Sequence, residues 1–476
     1  MLLSRAQVPG PAPARVELAR QRLSRVLGPS KVLTDPDACE RFGRDESEAA
    51  PRTPDAVVLA RSADDIMAAL AVARDTEVPI TPRAGGTGRT GGAVPVAGGI
   101  LLSVEGMNQI KDIDPRAGVA VVESGVVLAD LHAAVEREGL FYPPDPNSLT
   151  GCAIGGNVAE NAGGPRAYKY GVTGKYVLGL EAFLIGGARL QTGCRTRKGV
   201  TGYDVRGLLV GSEGTLAVFG DVVLALLPKP ECVMTLLILF PTADDSARAV
   251  GAMAAASLLP RCIELLDAST LEVMREAGNE IDPRAGALLL VEVDGTEADC
   301  ERQAERVADA CPTALSVLVA QEASQREKLW SARREMSHAV RKKAKNKLAE
   351  DVVVPRQLIP DLLSRVARIS EDTGVRTLTY GHAGDGNLHV NFLWDDEDDV
   401  PRVSLAIERL FRDVLALGGT LSGEHGIGLL KAPYLELEQS AELIALQREL
   451  KRVFDPVGLL NPGKIFPDAS RGHGAC

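Results

Sequence analysis

Residues 82–104 read PRAGGTGRTGGAVPVAGGILLSV, and their reading decides the fold. Gly86-Thr-Gly88-Arg-Thr-Gly91 matches GxGxxG, a pattern that in a dinucleotide-binding βαβ unit leads straight into a helix whose N-terminal N–H groups and dipole hold a pyrophosphate. Here the glycines run on into a proline, β-branched residues and another glycine pair. The spacing therefore predicts a return to strand with no helix. Such a loop can still bind a diphosphate, because its glycines let backbone N–H groups converge on it without a helix.

Upstream, DAVVLARSADDIMAALAVARDTEVPIT (55–81) alternates strand, helix and strand, a βαβ unit. Downstream, short strands (GVAVVESGV, LGLEAFLIGG, LAVFGDVVLALLP) are joined by long glycine-rich connections as far as Pro228 and Pro230. One of these, PPDPNSLTGCAIGGNVAENAGG (143–164), reads as a second glycine loop with Ser148, Asn157 and Asn161 as polar caps. From Glu231 the texture changes. Strands VMTLLILF, CIELLD, GALLLVEVDG and ALSVLVAQ alternate with two amphipathic helices, which predicts a ferredoxin-like unit of two βαβ-like halves. A long helix from Ala323 follows, and its basic run RKKAKNK (341–347) is expected as a solvated helix end.

The chain has 476 residues, more than one hydrophobic core usually serves. With 45% hydrophobic and 25% charged residues it is an ordinary globular composition, and disorder as the main state is excluded. A net charge of -11 argues against a life on nucleic acid. The eight cysteines form no CxxC pair, which speaks against an iron–sulfur cluster or zinc ribbon and for free thiols in a reducing compartment. No apolar run approaches the ~20 residues of a membrane helix. The expectation is a cytoplasmic protein, peripheral at an inner membrane if a partner holds it there; its arginine-rich start leaves an organelle address open.

YGHAGDGNLHVNF (380–392) carries two of the six histidines. Asp385-Gly386 is a two-residue hairpin signal; if it forms the turn, His382 lies directly across from His389, and Asn391 shares their face. The remaining histidines attract less. His132 is expected on a helix surface, His338 off the Arg333 face of its helix, and His473 in a loose tail.

PRAGGTGRTGGAV, DPNSLTGCAIGGNVAENAGG, GYDVRGLLVGSEGTLAVF, YGHAGDGNLHVNF, SGEHGIG and FDPVGLLNPGKIF, in this order, resemble the flavin-linked D-2-hydroxy acid dehydrogenases, over about Asp55 to Pro467. The resemblance implies an α+β protein: an FAD-binding domain of two subdomains of the vanillyl-alcohol oxidase type (55–229), a ferredoxin-like substrate or cap domain carrying a metal site (230–430), a preceding helical segment (1–54) and a C-terminal helical segment (431–476) packing back. Its FAD would lie between Arg83, Gly85, Gly86, Thr87, Gly88, Gly91 and Gly92 of the first loop and Pro144, Asp145, Ser148, Gly151, Gly155, Gly156, Asn157, Asn161, Gly163 and Gly164 of the second. Gly214 would lie along the flavin, and Asn461 in the tail would pack against it. The first loop has no histidine, so the resemblance implies noncovalent FAD.

It further implies His382, His389 and Glu424 as ligands of a divalent metal, zinc first with manganese or iron as alternatives, and His425 as general base. Arg333, in the pattern Trp330-x-x-Arg333, would grip the substrate carboxylate from a helix face shared with Ser337, while Asn391 would orient the substrate. Relatives acting on dicarboxylates carry a lysine where Ala349 stands, so a second clamp would fall to Lys345 or Lys347. The implied partners are a small 2-hydroxy acid and a separate electron acceptor (quinone, cytochrome, electron-transfer flavoprotein or iron–sulfur subunit), with a homodimer also envisaged. Rival readings are a sugar or alcohol oxidase on the same fold, a metal hydrolase without flavin, and a noncatalytic flavin-holding subunit.

Overall fold

A computed structural model describes residues 8–466, apart from the side chains of Glu335, Ser337 and His338; the expectations for Ser337, His338 and His473 therefore lie outside the described residues. The first strands form a four-stranded sheet of β1 (Val32–Leu33), β2 (Ala56–Leu59), β3 (Ile80–Arg83) and β4 (Ile100–Ser103), in the order β1-β2-β4-β3. β2 and β3 both pair in parallel with β4, so the βαβ crossover through helix Ala63–Thr76 leaves room for β4 between its strands. Ser62 caps that helix by accepting from Asp65 N. No helix follows the glycines of 85–92, as the proline and β-branched residues predict.

A five-stranded antiparallel sheet comes next: β5 (Ile110–Asp114), β6 (Val119–Glu123), β8 (Val177–Phe183), β9 (Arg189–Gly193) and β10 (Val218–Ala225), in the order β5-β6-β10-β8-β9. Two short strands, β7 (Leu140–Phe141) and β11 (Leu227–Pro228), pair with each other. The second glycine stretch is no loop throughout. Ile154–Glu160 is a helix, ended by Asn161 at φ 52 in the left-handed region. Two glycines mask its helix propensity in the sequence.

Beyond Pro230 the chain forms one seven-stranded antiparallel sheet from β12 (Cys232–Phe240), β13 (Cys262–Asp267), β14 (Ala287–Gly295), β15 (Ser316–Ala320), β16 (Asn346–Val353), β17 (Arg376–His382) and β18 (Asn387–Trp394). Its order is β15-β12-β14-β13-β17-β18-β16. The first four strands keep the ferredoxin-like order and the histidine hairpin extends their sheet. Helices 243–255, 297–309, 359–373 and 400–416 bury their apolar stripes on one face, where Ile238, Leu289, Val390 and Phe411 are fully buried. The opposite face carries the polar groups described below, together with an apolar patch under helices 268–276 and 323–341.

The tail returns to the first half. Helix Ala441–Phe454 leads to a parallel bridge between Leu460 and Ile80, and Leu460 is fully buried in the core of the four-stranded sheet. Among the described residues no helix is long and apolar enough to cross a membrane.

Candidate functional site

The hairpin register differs from the simplest two-residue turn. His382 pairs with Asn387 and His389 with Tyr380, leaving a four-residue tip, Ala383 to Gly386. Neighbours shape that tip: Gly384 N donates to Ile263 O at 3.3 Å, and a Cβ on Gly386 would fall 2.0 Å from Val354 O. The slip is two residues, the strand period, so both histidines keep one face. Their ring centroids are 5.2 Å apart, edge to face.

Adjacent strands complete two rows across that face. Glu264 of β13 lies opposite His382, and Asp351 of β16 opposite His389. The loop after helix 400–416 brings Glu424 and His425 over the rows. His382 Nε2 is 3.2 Å and His389 Nε2 3.6 Å from Glu424 Oε1, while the His425 ring stacks on His389 at 5.2 Å. His382, His389 and Glu424 each offer one ligand atom within 4.8 Å of the others; Asp351, His389 and His425 form a second such set. Two imidazoles and a carboxylate fit a divalent metal with positions left open for substrate.

Charges here are balanced pairwise. Burial opposes ionisation of Glu264, but His382 and Arg333 outweigh it and hold the carboxyl down at about 2. His382 is likewise desolvated, yet Glu264 and Glu424 raise it well above the ordinary histidine range. Burial, then the neighbouring imidazoles of His425 and His382, lower His389 to about 3, and burial lowers His425 against Asp351 and Glu424. Both therefore stand neutral near pH 7, the form that can ligate a metal or accept a proton.

Arg333 is 8% exposed; its Nη2 and Nε lie 2.6 and 2.8 Å from Glu264 Oε2, and its guanidinium sits 5.0 Å over the Tyr380 ring. Trp330, one turn earlier, donates to Glu292 at 2.7 Å. Asn391 shares the face, but it is not among the cavity-lining residues. Its amide donates to Leu378 O and His389 O, and its oxygen accepts from Tyr380, so it braces the sheet where substrate contact was expected. The basic run is a solvated helix end only at its start, where Arg341 and the C-cap Lys342 are exposed. The helix stops at Arg341, and Lys347 lies 8% exposed in β16, in the cavity wall two residues from Ala349, while Lys345 is exposed.

These groups line part of a cavity of about 1470 Å³. Its wall also includes Arg83, Gly85, Gly86, Thr87, Gly88, Gly92, Asp145, Ser148, Gly151, Gly155, Gly156, Asn157, Gly163 and Gly214, and Gly163 lies against Glu424, since a Cβ on it would fall 2.8 Å from Glu424 Oε2. The two glycine stretches meet at backbone contact, since a Cβ on Gly85 would fall 2.2 Å from Gly151 O. Gly86 takes φ 69 with the Arg83 guanidinium against it, where a Cβ would clash. Arg83 Nε and Asn157 Nδ2 are buried donors without a protein acceptor. Orphaned donors beside bare backbone fit an acceptor-rich diphosphate.

Five residues expected at the cofactor are not among those lining the cavity and stand behind the wall. Pro144 O accepts from His132, Asn161 Oδ1 accepts from Gly174 N, and Asn461 Nδ2 donates to Gly92 O and Glu213 O. Gly164 packs on Asp145, and Gly91 on Leu429 and Ala49. His132 is no surface residue: it is 8% exposed, and burial lowers it to about 4. Sequence reasoning missed Glu264, the structural part of Asp351, and residues 44–51, which line the cavity from the N-terminal segment. An isolated acid inside the apolar strand CIELLD was the available signal for Glu264.

Comparison with known proteins agrees with this geometry. Residues 54–193 match the family model described as FAD binding domain, and residues 229–465 match FAD linked oxidases, C-terminal domain. The chain is 39% identical over 457 residues to the glycolate oxidase subunit GlcD of Bacillus subtilis (strain 168), covering 95% of this chain and 97% of that protein. It is 36% identical to the D-lactate dehydrogenase of Archaeoglobus fulgidus, covering 90% and 96%, and 32% identical to the D-2-hydroxyglutarate dehydrogenase of Xanthomonas citri pv. viticola, covering 92% and 94%. In fold it is similar to p-cresol methylhydroxylase with substrate bound (TM-score 0.82, 16% identity, 98% and 99% covered). It is also similar to 4-ethylphenol oxidase from Gulosibacter chungangensis (TM-score 0.78, 20% identity, 97% and 99% covered). A metal hydrolase without flavin is thereby set aside, and the chain belongs to the FAD-linked oxidase family as an FAD-dependent oxidoreductase.

Proposed function

We propose that this chain oxidises a D-2-hydroxy acid to its 2-oxo acid and passes the electrons to a separate acceptor, a quinone, cytochrome, electron-transfer flavoprotein or iron–sulfur subunit. The observation that carries the reading is one cavity lined by two chemically distinct sets of residues: bare glycine backbone with orphaned donors, and the cluster of Arg333, His382, His389, Glu424 and His425. Relatives named for glycolate, D-lactate and D-2-hydroxyglutarate support the substrate class. In this reading residues 55–229 hold FAD and residues 230–430 hold substrate and metal, with residues 431–476 closing back on the flavin half.

His382, His389 and Glu424 hold the divalent metal. Arg333 binds the substrate carboxylate as a planar fork, kept in its plane by Glu264 and Tyr380. His425, neutral by burial, takes the hydroxyl proton at a ring nitrogen. When bound, the metal supplies a Lewis acid for the hydroxyl oxygen and FAD supplies the acceptor for the hydride leaving Cα. The buried walls keep bulk water from competing for the Arg333 guanidinium. Anaerobic mixing of the flavoprotein with paired D- and L-2-hydroxy acids tests the reading: the D members should bleach the flavin. Bleaching by L members alone, or by none, defeats it.

A further inference from the structure

The loop 423–428, which carries Glu424 and His425, crosses between the two halves and is held by one buried carboxylate from each. From the seven-stranded sheet, Asp351 Oδ2 accepts from Gly423 N at 3.0 Å, Glu424 N at 2.9 Å and His425 N at 2.8 Å. From the flavin half, Glu213 Oε1 accepts from Ile427 N at 2.8 Å and Oε2 from Gly428 N at 2.6 Å. Asp351 is fully buried and Glu213 6% exposed. Asp351 thus grips the first part of the loop and Glu213 the last.

Glu213 is itself unusually fixed. Its backbone takes φ 51, a left-handed conformation uncommon for a residue with a side chain. Its N–H donates to Ala159 O at 2.8 Å and its carbonyl accepts from Asn461 Nδ2 at 2.9 Å, so α-helix 154–160 and the tail aim the carboxylate. Thr90, in the first glycine loop, adds a second hold: its hydroxyl donates to His425 O at 3.1 Å and its carbonyl accepts from Leu429 N at 2.8 Å. There is no slack between these parts. A Cβ on Gly426 would fall 3.0 Å from Glu213 Oε1 and 2.4 Å from Glu160 Oε2, and one on Gly428 would fall 2.4 Å from Thr90 O.

We propose that Glu213, assisted by Thr90, is a positioning residue that fixes His425 and Glu424 from the flavin half, locking the proton acceptor in register with the cofactor cavity. The inference rests on the reading of His425 as the base. His382 and His389 ride on the seven-stranded sheet, so a loop tied to that sheet by Asp351 alone would follow it wherever the two halves shift. The Glu213 tie makes the loop common to both. A misplacement of about 1 Å at the reacting atoms lowers turnover on the order of a hundredfold, which is the scale of effect such a tie prevents.

Glu213→Gln keeps the backbone contacts of residue 213 and leaves one oxygen where two N–H groups need acceptors. Amide hydrogen exchange of the FAD-loaded protein without substrate should quicken at Ile427 and Gly428 by about tenfold or more, with 154–160 and 211–217 unchanged. Turnover with the best substrate should fall about ten- to a hundredfold, with KM within about threefold. Unchanged exchange at Ile427 and Gly428 overturns the proposal, as does loosening spread over the whole flavin half, which marks a merely structural role. If Glu213→Gln gives no folded flavoprotein, Thr90→Val replaces it. That variant should lower turnover at constant KM while FAD stays bound, and full turnover with it overturns the proposal. The exchange arm uses no substrate, so it is independent of which acid, if any, reduces the flavin.

Discussion

The Arg333 guanidinium and the His382 imidazole share one carboxylate: Glu264 Oε2 takes Arg333 at 2.6 Å, and Glu264 Oε1 takes His382 Nδ1. The proposed substrate clamp and the proposed metal ligand are therefore oriented by one fully buried residue. Glu264→Gln should disturb both at once, because the amide presents N–H groups to partners that are donors. Removing one member of a buried charged cluster costs on the order of 3–5 kcal/mol. The expected outcome is a lower urea midpoint together with weaker metal binding and weaker substrate binding. A variant that loses only one of the two functions would show that Glu264 does not couple them.

Arg333→Lys exchanges a planar fork for a point charge that cannot hold Glu264 and a carboxylate in one plane. Loss of one charge-assisted hydrogen bond, roughly 1.5–3 kcal/mol, corresponds to about ten- to a hundredfold in kcat/KM. Steady-state kinetics with the best 2-hydroxy acid checks it, and unchanged kcat/KM would remove Arg333 from the clamp.

The glycine-lined part of the cavity wall contains Thr87 and Arg89 but no histidine in residues 83–92. FAD should accordingly be held without a covalent bond. Acid precipitation should release the yellow colour into the supernatant; colour retained in the pellet would point to another attachment residue.

How much of this was legible in the sequence follows the range of the forces involved. The strand return after Gly91-Gly92 is local, set by Pro95 and β-branched residues, and it reads correctly. The face shared by His382 and His389 depends only on a period of two, so it survives a register slip that turn chemistry did not foresee. Lys347, Asn391 and His132 were misread because partners outside their own strand or helix surround them: Tyr380 of β17 for the first two and Pro144 with Tyr142 for the third. Helix 154–160 hides behind two glycines, and its stability comes from packing of Ile154 and Val158, both fully buried. Asp351 and Glu213 accept from backbone N–H groups more than 70 and 210 residues away, contacts with no local signature.

His132 gives a pH prediction of definite sign. Its folded value of about 4 lies below the ordinary 6.5, because burial disfavours the imidazolium. The unfolded chain binds a proton first as pH falls, so this residue's contribution is complete above pH 6.5 and is lost between about 6.5 and 4. Between pH 7 and pH 5 the loss is about 2 kcal/mol. Urea unfolding at both values should show a smaller drop for His132→Gln than for the parent chain, and equal drops would mean that His132 does not stay neutral in the fold.

The hairpin histidines and Glu424 offer a ligand set of their own, distinct from the residues expected at the diphosphate, so metal and flavin should be separable. A chelator should abolish substrate-dependent bleaching while the flavin spectrum persists, and a divalent ion should restore it. His389→Ala should behave as the chelated protein does, because His389 is shared by both potential ligand sets. His425→Ala should keep the metal at the His382, His389 and Glu424 set but lose proton abstraction, a fall of about 10²–10⁴-fold in turnover. The two variants separate the roles through metal content: equal loss of metal in both would assign His425 to the ligands and leave Asp351, His389 and His425 as the working set. If the metal-free protein is bleached at the parent rate, the metal has no part in the reaction, and the face shared by His382 and His389 serves the sheet alone.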